Sequence, residues 1–324
     1  MLLSIIAVIA GFVALAWSAD RTVLGASATA RNFGVSPMLI GLTIVGFGTS
    51  APEMLVSGIA AWEGNTGLSI GNALGSNITN IALVLGATVL VVPLTVQSDT
   101  VRREIPILLA VSLLCFVLMN DGYLGRLDGA LLMGGLILML VMMASLGKKS
   151  RTGDDPLAAE YAEEMPGQMS TPRALFWLVF GIVVMLVASR FLVWGAVNIA
   201  EAFGVSDLVI GLTIIAIGTS LPELMASVMS AMKKEHDIAL GNIIGSNMFN
   251  LLGVMGLPGL IAPGGFLPEV LTRDFPWMIG LTLALFLISF GFRGPGRIGR
   301  IEGGLLVVAY GAYLVMLYFS ATAR

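Results

Sequence analysis

Residues 32–52, 64–98, 129–147, 238–268 and 303–323 contain no Asp, Glu, Lys or Arg. Each run approaches or exceeds the roughly 20 residues with which an α-helix crosses hydrocarbon. The runs are continuously apolar instead of alternating every second residue, which selects helices over a barrel. Gly and Pro breakers divide the chain into helices expected near 3–31, 37–62, 68–92, 104–120 and 124–146, then 173–203, 207–232, 238–262, 272–292 and 301–320. The apolar stretch Met1 to Ser18 has no basic residue ahead of it and reads as a first transmembrane helix, not a signal peptide.

Self-comparison organises these elements. Residues 34–57 (GVSPMLIGLTIVGFGTSAPEMLVS) return 170 positions later as 204–227 (GVSDLVIGLTIIAIGTSLPELMAS), identical at fourteen of 24 positions. The same offset carries 71–80 (GNALGSNITN) onto 241–250 (GNIIGSNMFN), Pro93 onto Pro263 and Pro106 onto Pro276. Five helices per copy is an odd number, so the second copy enters the membrane from the opposite face. The expectation is an all-α polytopic membrane protein of ten transmembrane helices, built as two inverted five-helix repeats at 1–146 and 173–324. The polar segment 147–172 reads as a cytoplasmic linker.

Composition agrees with a lipid-solvated chain, being 57% apolar and 11% charged with a mean hydropathy of +0.94. With the N-terminus outside, the cytoplasmic loops carry twelve basic residues (Arg31, Arg102, Arg103, Lys148, Lys149, Arg151, Arg173, Lys233, Lys234, Arg293, Arg297 and Arg300). Only Arg126, Arg273 and Arg324 fall outside, so both termini are expected there. Arg21 and Arg190 lie inside the first long helix of each copy and are read as snorkelling to an interface. The lone Cys115 offers no disulfide or thiolate site and reads as a buried small hydrophobe. The single His236 reads as a solvated loop residue.

Chemistry enters where polar groups fall deep in apolar stretches. Glu53 and Glu223 occupy equivalent positions of the two copies, in Gly48-Thr49-Ser50-Ala51-Pro52-Glu53 and Gly218-Thr219-Ser220-Leu221-Pro222-Glu223. An ionised carboxylate at a helix centre costs about 2.5–3.5 kcal/mol on the lenient insertion scale and needs a partner. No Lys or Arg recurs beside either, so a bound cation is the natural counter-charge. Pro52 and Pro222 remove an amide donor and should free the carbonyls of Gly48 and Gly218, as in the broken helices of secondary transporters. Thr49, Glu53 and Ser57 share one helix face, and Thr219, Glu223 and Ser227 repeat it. Asn72, Ser76 and Asn80 form a further stripe, matched by Asn242, Ser246 and Asn250. Such carboxylate, hydroxyl and amide oxygens are hard ligands suited to Ca2+ and Na+. Interhelical hydrogen bonding and small-residue packing account for Asn77, Asn247 and the pairs Gly71/Gly75 and Gly241/Gly245. Two carboxylates balance one Ca2+, whereas three Na+ in the same cavity would leave one positive charge, which predicts electrogenic exchange.

The two copies of G-T-S-x-P-E followed by G-N-x-x-G-S-N-x-x-N resemble the paired alpha repeats of the cation/Ca2+ exchanger superfamily, in its Na+/Ca2+ exchanger branch with bacterial members. The resemblance implies ion sites at the bilayer centre walled by the second, third, seventh and eighth helices. It implies Glu53 and Glu223 as central calcium ligands and Thr49 and Thr219 as oxygen donors. It also assigns Ser76, Asn80, Ser246 and Asn250 to sodium sites, with backbone oxygens near Gly46 and Ala216 taking part. Some members carry Asp where this chain has Asn250, which argues against potassium coupling. The family pattern further has the first helix of each half slide to switch access. Expected partners are Ca2+ and Na+, with H+ or Mn2+ as competing cargo, and the lipid bilayer of a prokaryotic cytoplasmic membrane. No cofactor, nucleic acid or obligate protein partner is expected, and no enzymatic activity. A proton-coupled cation antiporter is the nearest alternative. A passive channel is a second, and an intramembrane hydrolase lacks a His within a span or a paired Asp motif.

Overall fold

The computed structural model describes residues 1–96, 99–150, 169–204, 216–289 and 296–322. The expected helix start at 207–215 and linker residues 151–168 lie outside the described residues, as do Arg151, Arg293 and Arg324. The helices are α1 (Leu2–Phe33), α2 (Pro37–Thr49), α3 (Ala51–Trp62), α4 (Thr66–Val91), α5 (Asp99–Leu118) and α6 (Arg126–Ser150). They continue with α7 (Thr171–Ala202), α8 (Ala216–Thr219), α9 (Leu221–Met232), α10 (His236–Ile261), α11 (Val270–Ser289) and α12 (Arg300–Thr322).

Seven of these are long and apolar enough to cross a membrane, and α2 with α3, bent by 44° at their junction, are long and apolar enough only when taken together. The chain is therefore an all-α polytopic membrane protein. Helix α5 carries Asp99, Arg102, Arg103 and Glu104 in its first turns and is less uniformly apolar, and α9 is only 12 residues long.

Local signals set the boundaries. Gly34 closes α1 in the left-handed region at φ 62°, its N–H reaching the carbonyls of Ala30 and Arg31. The Ser36 side chain accepts from the Leu39 amide with Pro37 opening α2, and Asn65 caps α4 through the Leu68 amide. Hydroxyls inside the spans bond back to the carbonyl four residues earlier, as Thr22 to Ser18, Thr79 to Gly75, Thr88 to Val84 and Thr282 to Met278. The ladder is interrupted by wide π turns at Gly41–Val45, Asn80–Leu85, Asn250–Val254 and Val270–Asp274.

Packing follows the offset seen in the sequence. Helices α1 and α7 are 32 residues each, roughly 48 Å long, and lie antiparallel along one another. Gly11 meets Ala188 and Leu192, Gly25 meets Ala174 and Leu178, and Gly195 meets Ser4. Their core is lean in side-chain volume, built from Leu15, Ala19, Ala26, Ala30, Leu178, Ile182, Met185 and Ala188. A larger apolar core joins α4, α5, α6, α10, α11 and α12. The apolar window of α10 is wholly buried and that of α4 is 72% buried, against 22–33% for the outer spans, so α4 and α10 are the central helices.

Two short antiparallel ribbons complete the fold, β1 (Leu94–Val96) with β4 (Gly296–Ile298) and β2 (Tyr123–Leu124) with β3 (Gly264–Gly265). The 170-residue offset carries β1 onto β3, so each ribbon ties one copy to the other. Cys115 is buried and unbonded to sulfur, as expected. His236 departs from expectation, since it opens α10 half-buried, with Nδ1 shielded from solvent and unpartnered. Arg21 likewise does more than snorkel, lying over the rings of Trp17 and Trp177 at 5.8 and 5.1 Å.

Candidate functional site

The broken helices converge beside α4 and α10. Ser50 sits at the junction of α2 and α3 with φ −85° and ψ 2°, off the helical ψ although its N–H still bonds the Gly46 carbonyl, and Ser220 takes nearly the same conformation between α8 and α9. Pro52 and Pro222 occupy the first turns of the resumed helices, where a missing amide costs least. Glu53 and Glu223 lie in those first turns, where the positive end of the helix dipole favours a carboxylate. The preceding segments end at Thr49 and Thr219, so their last carbonyls present the negative end of a helix to the same place.

The structure brings the two halves together there. Glu53 is 1% exposed and Glu223 is fully buried. The Thr49 hydroxyl lies 3.2 Å from Asn242 Oδ1, 3.3 Å from Ser246 Oγ and 3.3 Å from the Gly46 carbonyl. Ser246 Oγ also donates to the Gly46 carbonyl at 3.4 Å. The Thr49 and Ser50 hydroxyls stand beside the Glu223 carboxylate without closing a well-formed hydrogen bond onto it. Gly241 and Gly245 permit this approach, because any side chain there would meet the backbone of Met38 or Leu42 in α2.

The remaining expected residues fall on the surrounding walls. Ser76, Asn80 and Asn250 are buried, and Thr219 is half-buried at the end of α8, which Ala216 opens. Helix α8 packs on the Ser76 stretch of α4. The wide turn starting at Asn80 packs on α9, which carries Glu223, and the turn starting at Asn250 packs on α3, which carries Glu53. Ser57 Oγ donates to the Val254 carbonyl at 2.7 Å within that second contact.

Other polar groups are committed to architecture. Asn72 donates to the Glu53 carbonyl at 3.1 Å, and Asn242 donates to the Glu223 carbonyl at 3.2 Å and to Ser227 Oγ at 3.0 Å. Each of these amides fixes a glutamate-bearing helix to its neighbour. Asn77 Nδ2 reaches the Asn247 carbonyl at 3.3 Å, an interhelical role that matches the sequence reading. The Gly218 carbonyl, freed by Pro222, is taken by Ser189 Oγ of α7 at 2.8 Å and so is not left for an ion.

A set of buried oxygens remains without a partner: Ser50 Oγ, Glu53 Oε2, Asn80 Oδ1, Ser220 Oγ, both Glu223 oxygens and Asn250 Oδ1. Buried polar atoms of native proteins are nearly always satisfied, so these oxygens are free to take a ligand or water. Among residues whose burial is described, no Lys or Arg is buried to neutralise the carboxylates. Nor do the described residues contain a group of three or more His, Cys, Asp or Glu that would hold a resident metal tightly. Two carboxylates ringed by neutral hydroxyls and amides suit a hard cation that is bound and then released. Ser50 and Ser220 were not singled out in the sequence, although their identity in both motif copies was a signal for them.

Comparison with known proteins agrees. The family profile described as sodium/calcium exchanger protein matches residues 3–144 and again 173–319. The chain is 52% identical to CaxA of Alkalimonas amylolytica over 99% of this chain and 100% of that one. It is 42% identical to the inner membrane protein YrbG of Escherichia coli (strain K12), covering 98% of both chains. A solved structure of the sodium-calcium exchanger NCX_Mj, soaked with Na+ and Sr2+, superposes with a TM-score of 0.82 at 32% identity over 97% of this chain and 98% of that one. An all-helical membrane fold, a matched pair of buried glutamates and these relatives together make the chain a member of the sodium/calcium exchanger family, an integral membrane antiporter for Ca2+.

Proposed function

We propose that the chain exchanges Na+ for Ca2+ by alternating access, at a site formed by Glu53 and Glu223 between two inverted five-helix halves. The observation that carries this reading is the pair of buried carboxylates from equivalent positions, ringed by unpartnered neutral oxygens and lacking a basic counter-charge. Glu53 and Glu223 neutralise Ca2+. Thr49, Thr219, Ser50 and Ser220 supply hydroxyl oxygens, Ser76, Asn80, Ser246 and Asn250 supply the flanking sodium ligands, and the backbone at Gly46 and Ala216 supplies carbonyls. Empty, the two carboxylates repel in a low-dielectric cavity, so crossing without cargo is unfavourable and exchange is obligatory.

Sodium is favoured over the proton as coupling ion because a proton needs only the carboxylates and leaves the orphaned hydroxyl and amide oxygens without a role. The close small-residue contact between α1 and α7 supports joint sliding of these two helices against the rest of the molecule as the access switch. The division into halves at 1–146 and 173–324, joined by the linker 147–172, is supported by the matched helix breaks, matched wide turns and reciprocal ribbons. The twelve-to-three distribution of basic residues supports ten crossings with both termini outside, in a prokaryotic inner membrane.

The test is Ca2+ uptake into proteoliposomes driven by an outward Na+ gradient or by an outward proton gradient, each with the other clamped by an ionophore. The proposal expects uptake with the Na+ gradient alone. Uptake driven by the proton gradient with Na+ absent would replace sodium by proton coupling.

A further inference from the structure

A pair of charge-reversed positions, related by the same offset as the two motifs, occupies the two edges of the α1–α7 layer. Asp20 of α1 accepts an ion pair from Lys233, the residue that closes α9, at 2.7 Å. Adding 170 to Asp20 gives Arg190 of α7, and subtracting 170 from Lys233 gives Glu63, the residue that closes α3. The signs are exchanged, so each position in one copy is matched by the opposite charge in the other. Arg190 and Glu63 are both exposed, and among the described residues neither has an ion-pair partner.

The packing differs between the two edges in the same sense. Helix α1 lies against α9 along the edge where Asp20 meets Lys233, whereas α7 makes only marginal contact with α3 at the edge where Arg190 and Glu63 stand. The closed edge holds a further bond, from Ser27 Oγ of α1 to Glu235 Oε1 at 2.6 Å. The offset places Val197 and Asn65 at the equivalent positions, and Asn65 is spent on capping α4. The structure is thus shut at the Lys233 edge and open at the Glu63 edge. Helices α1 and α7 interlock through Gly11, Gly25, Gly181 and Gly195, a contact that would carry the two together in any displacement. A shift that opens one edge closes the other.

We propose that Asp20–Lys233 and Arg190–Glu63 are alternating ionic latches, the first closing the Lys233 side of the transporter in the state seen here and the second closing the Glu63 side in the opposite access state. This rests on the alternating-access reading of the preceding subsection. The unmatched Ser27–Glu235 bond biases the unloaded transporter toward the state with the Lys233 side shut.

The test uses the full-length chain in proteoliposomes, with Cys115 replaced by Ala and Cys pairs placed at Asp20/Lys233 or at Glu63/Arg190, treated with a short bifunctional maleimide during Ca2+ counterflow. Both pairs should cross-link, each cross-link should stop counterflow, and Lys233→Gln should raise the Glu63/Arg190 cross-linking rate by up to about fivefold, the range an exposed ion pair commands. Failure of the Glu63/Arg190 pair to cross-link while the untreated protein still exchanges Ca2+ would overturn the latch and leave the exchange function standing. Absence of counterflow before cross-linking would refute the exchange function itself. The reversed pair Asp20→Lys with Lys233→Asp, read by counterflow alone, guards against misfolding of the Cys variants. It should restore the rate lost in Lys233→Asp, and no recovery would count against the latch.

Discussion

Glu53 and Glu223 are buried with no buried basic residue among those described, and if they hold a cation their substitution should move stability in opposite directions with and without ion. Glu223→Gln removes one of two carboxyl groups buried without a basic counter-charge and should raise the ion-free melting temperature. The same change should erase the rise in melting temperature that Ca2+ gives the parent, measured by thermal unfolding in detergent. An unchanged Ca2+-dependent rise would remove Glu223 from the site. Asn242→Ala is expected to behave differently, since it breaks bonds to the Glu223 carbonyl and Ser227 and should cost about 1–3 kcal/mol with or without ion. The glutamates were legible in the sequence because deep carboxylates are rare and these two recur at a fixed offset. The partner of the Gly218 carbonyl was not, because Ser189 lies 29 residues away and only tertiary packing brings it there. The Asn72 and Asn242 roles were hidden for the same reason, their acceptors being main-chain carbonyls that carry no side-chain signature.

At the scale of helices, Pro52 and Pro222 announced the breaks, and the structure puts the discontinuity at Ser50 and Ser220, two residues before each proline. The wide turns at Asn80 and Asn250 went unread, since a slipped hydrogen-bond ladder leaves no periodicity or composition cue behind. The glycine spacing was legible as a packing signal, and Gly241 and Gly245 bear it out by admitting the backbone of α2. Gly245→Ala should force α2 away from α10 and loosen the Thr49–Ser246 contact. We expect a loss of about 1–3 kcal/mol in stability and a clear drop in Ca2+ affinity. Gly311→Ala on the exposed side of α12, where an added methyl meets nothing, should raise stability by up to about 1 kcal/mol through helix propensity and leave Ca2+ affinity unchanged. Equal effects of the two substitutions in a paired thermal-unfolding and binding measurement would show that the α2–α10 approach is not critical.

The molecule as a whole brings two copies of one motif face to face, and its electrical behaviour follows from their combined charge. If Glu53 and Glu223 hold one Ca2+ or three Na+, each turnover carries one net positive charge in the direction of sodium movement. Sodium-driven Ca2+ uptake into proteoliposomes should then accelerate under an inside-positive potential and slow under an inside-negative one, and a rate indifferent to potential would exclude this stoichiometry. The repeated motif was legible because a fixed offset survives in the sequence. The asymmetry between a shut Lys233 edge and an open Glu63 edge was not, because it belongs to one conformation and both edges share one sequence pattern. The most direct measurement is isotopic Ca2+ flux in proteoliposomes with a defined Na+ gradient, comparing the parent with Glu53→Gln and Glu223→Gln at equal reconstitution. Sodium-dependent flux in the parent and its loss in both variants is the predicted result; undiminished exchange in either variant would contradict the paired-carboxylate site.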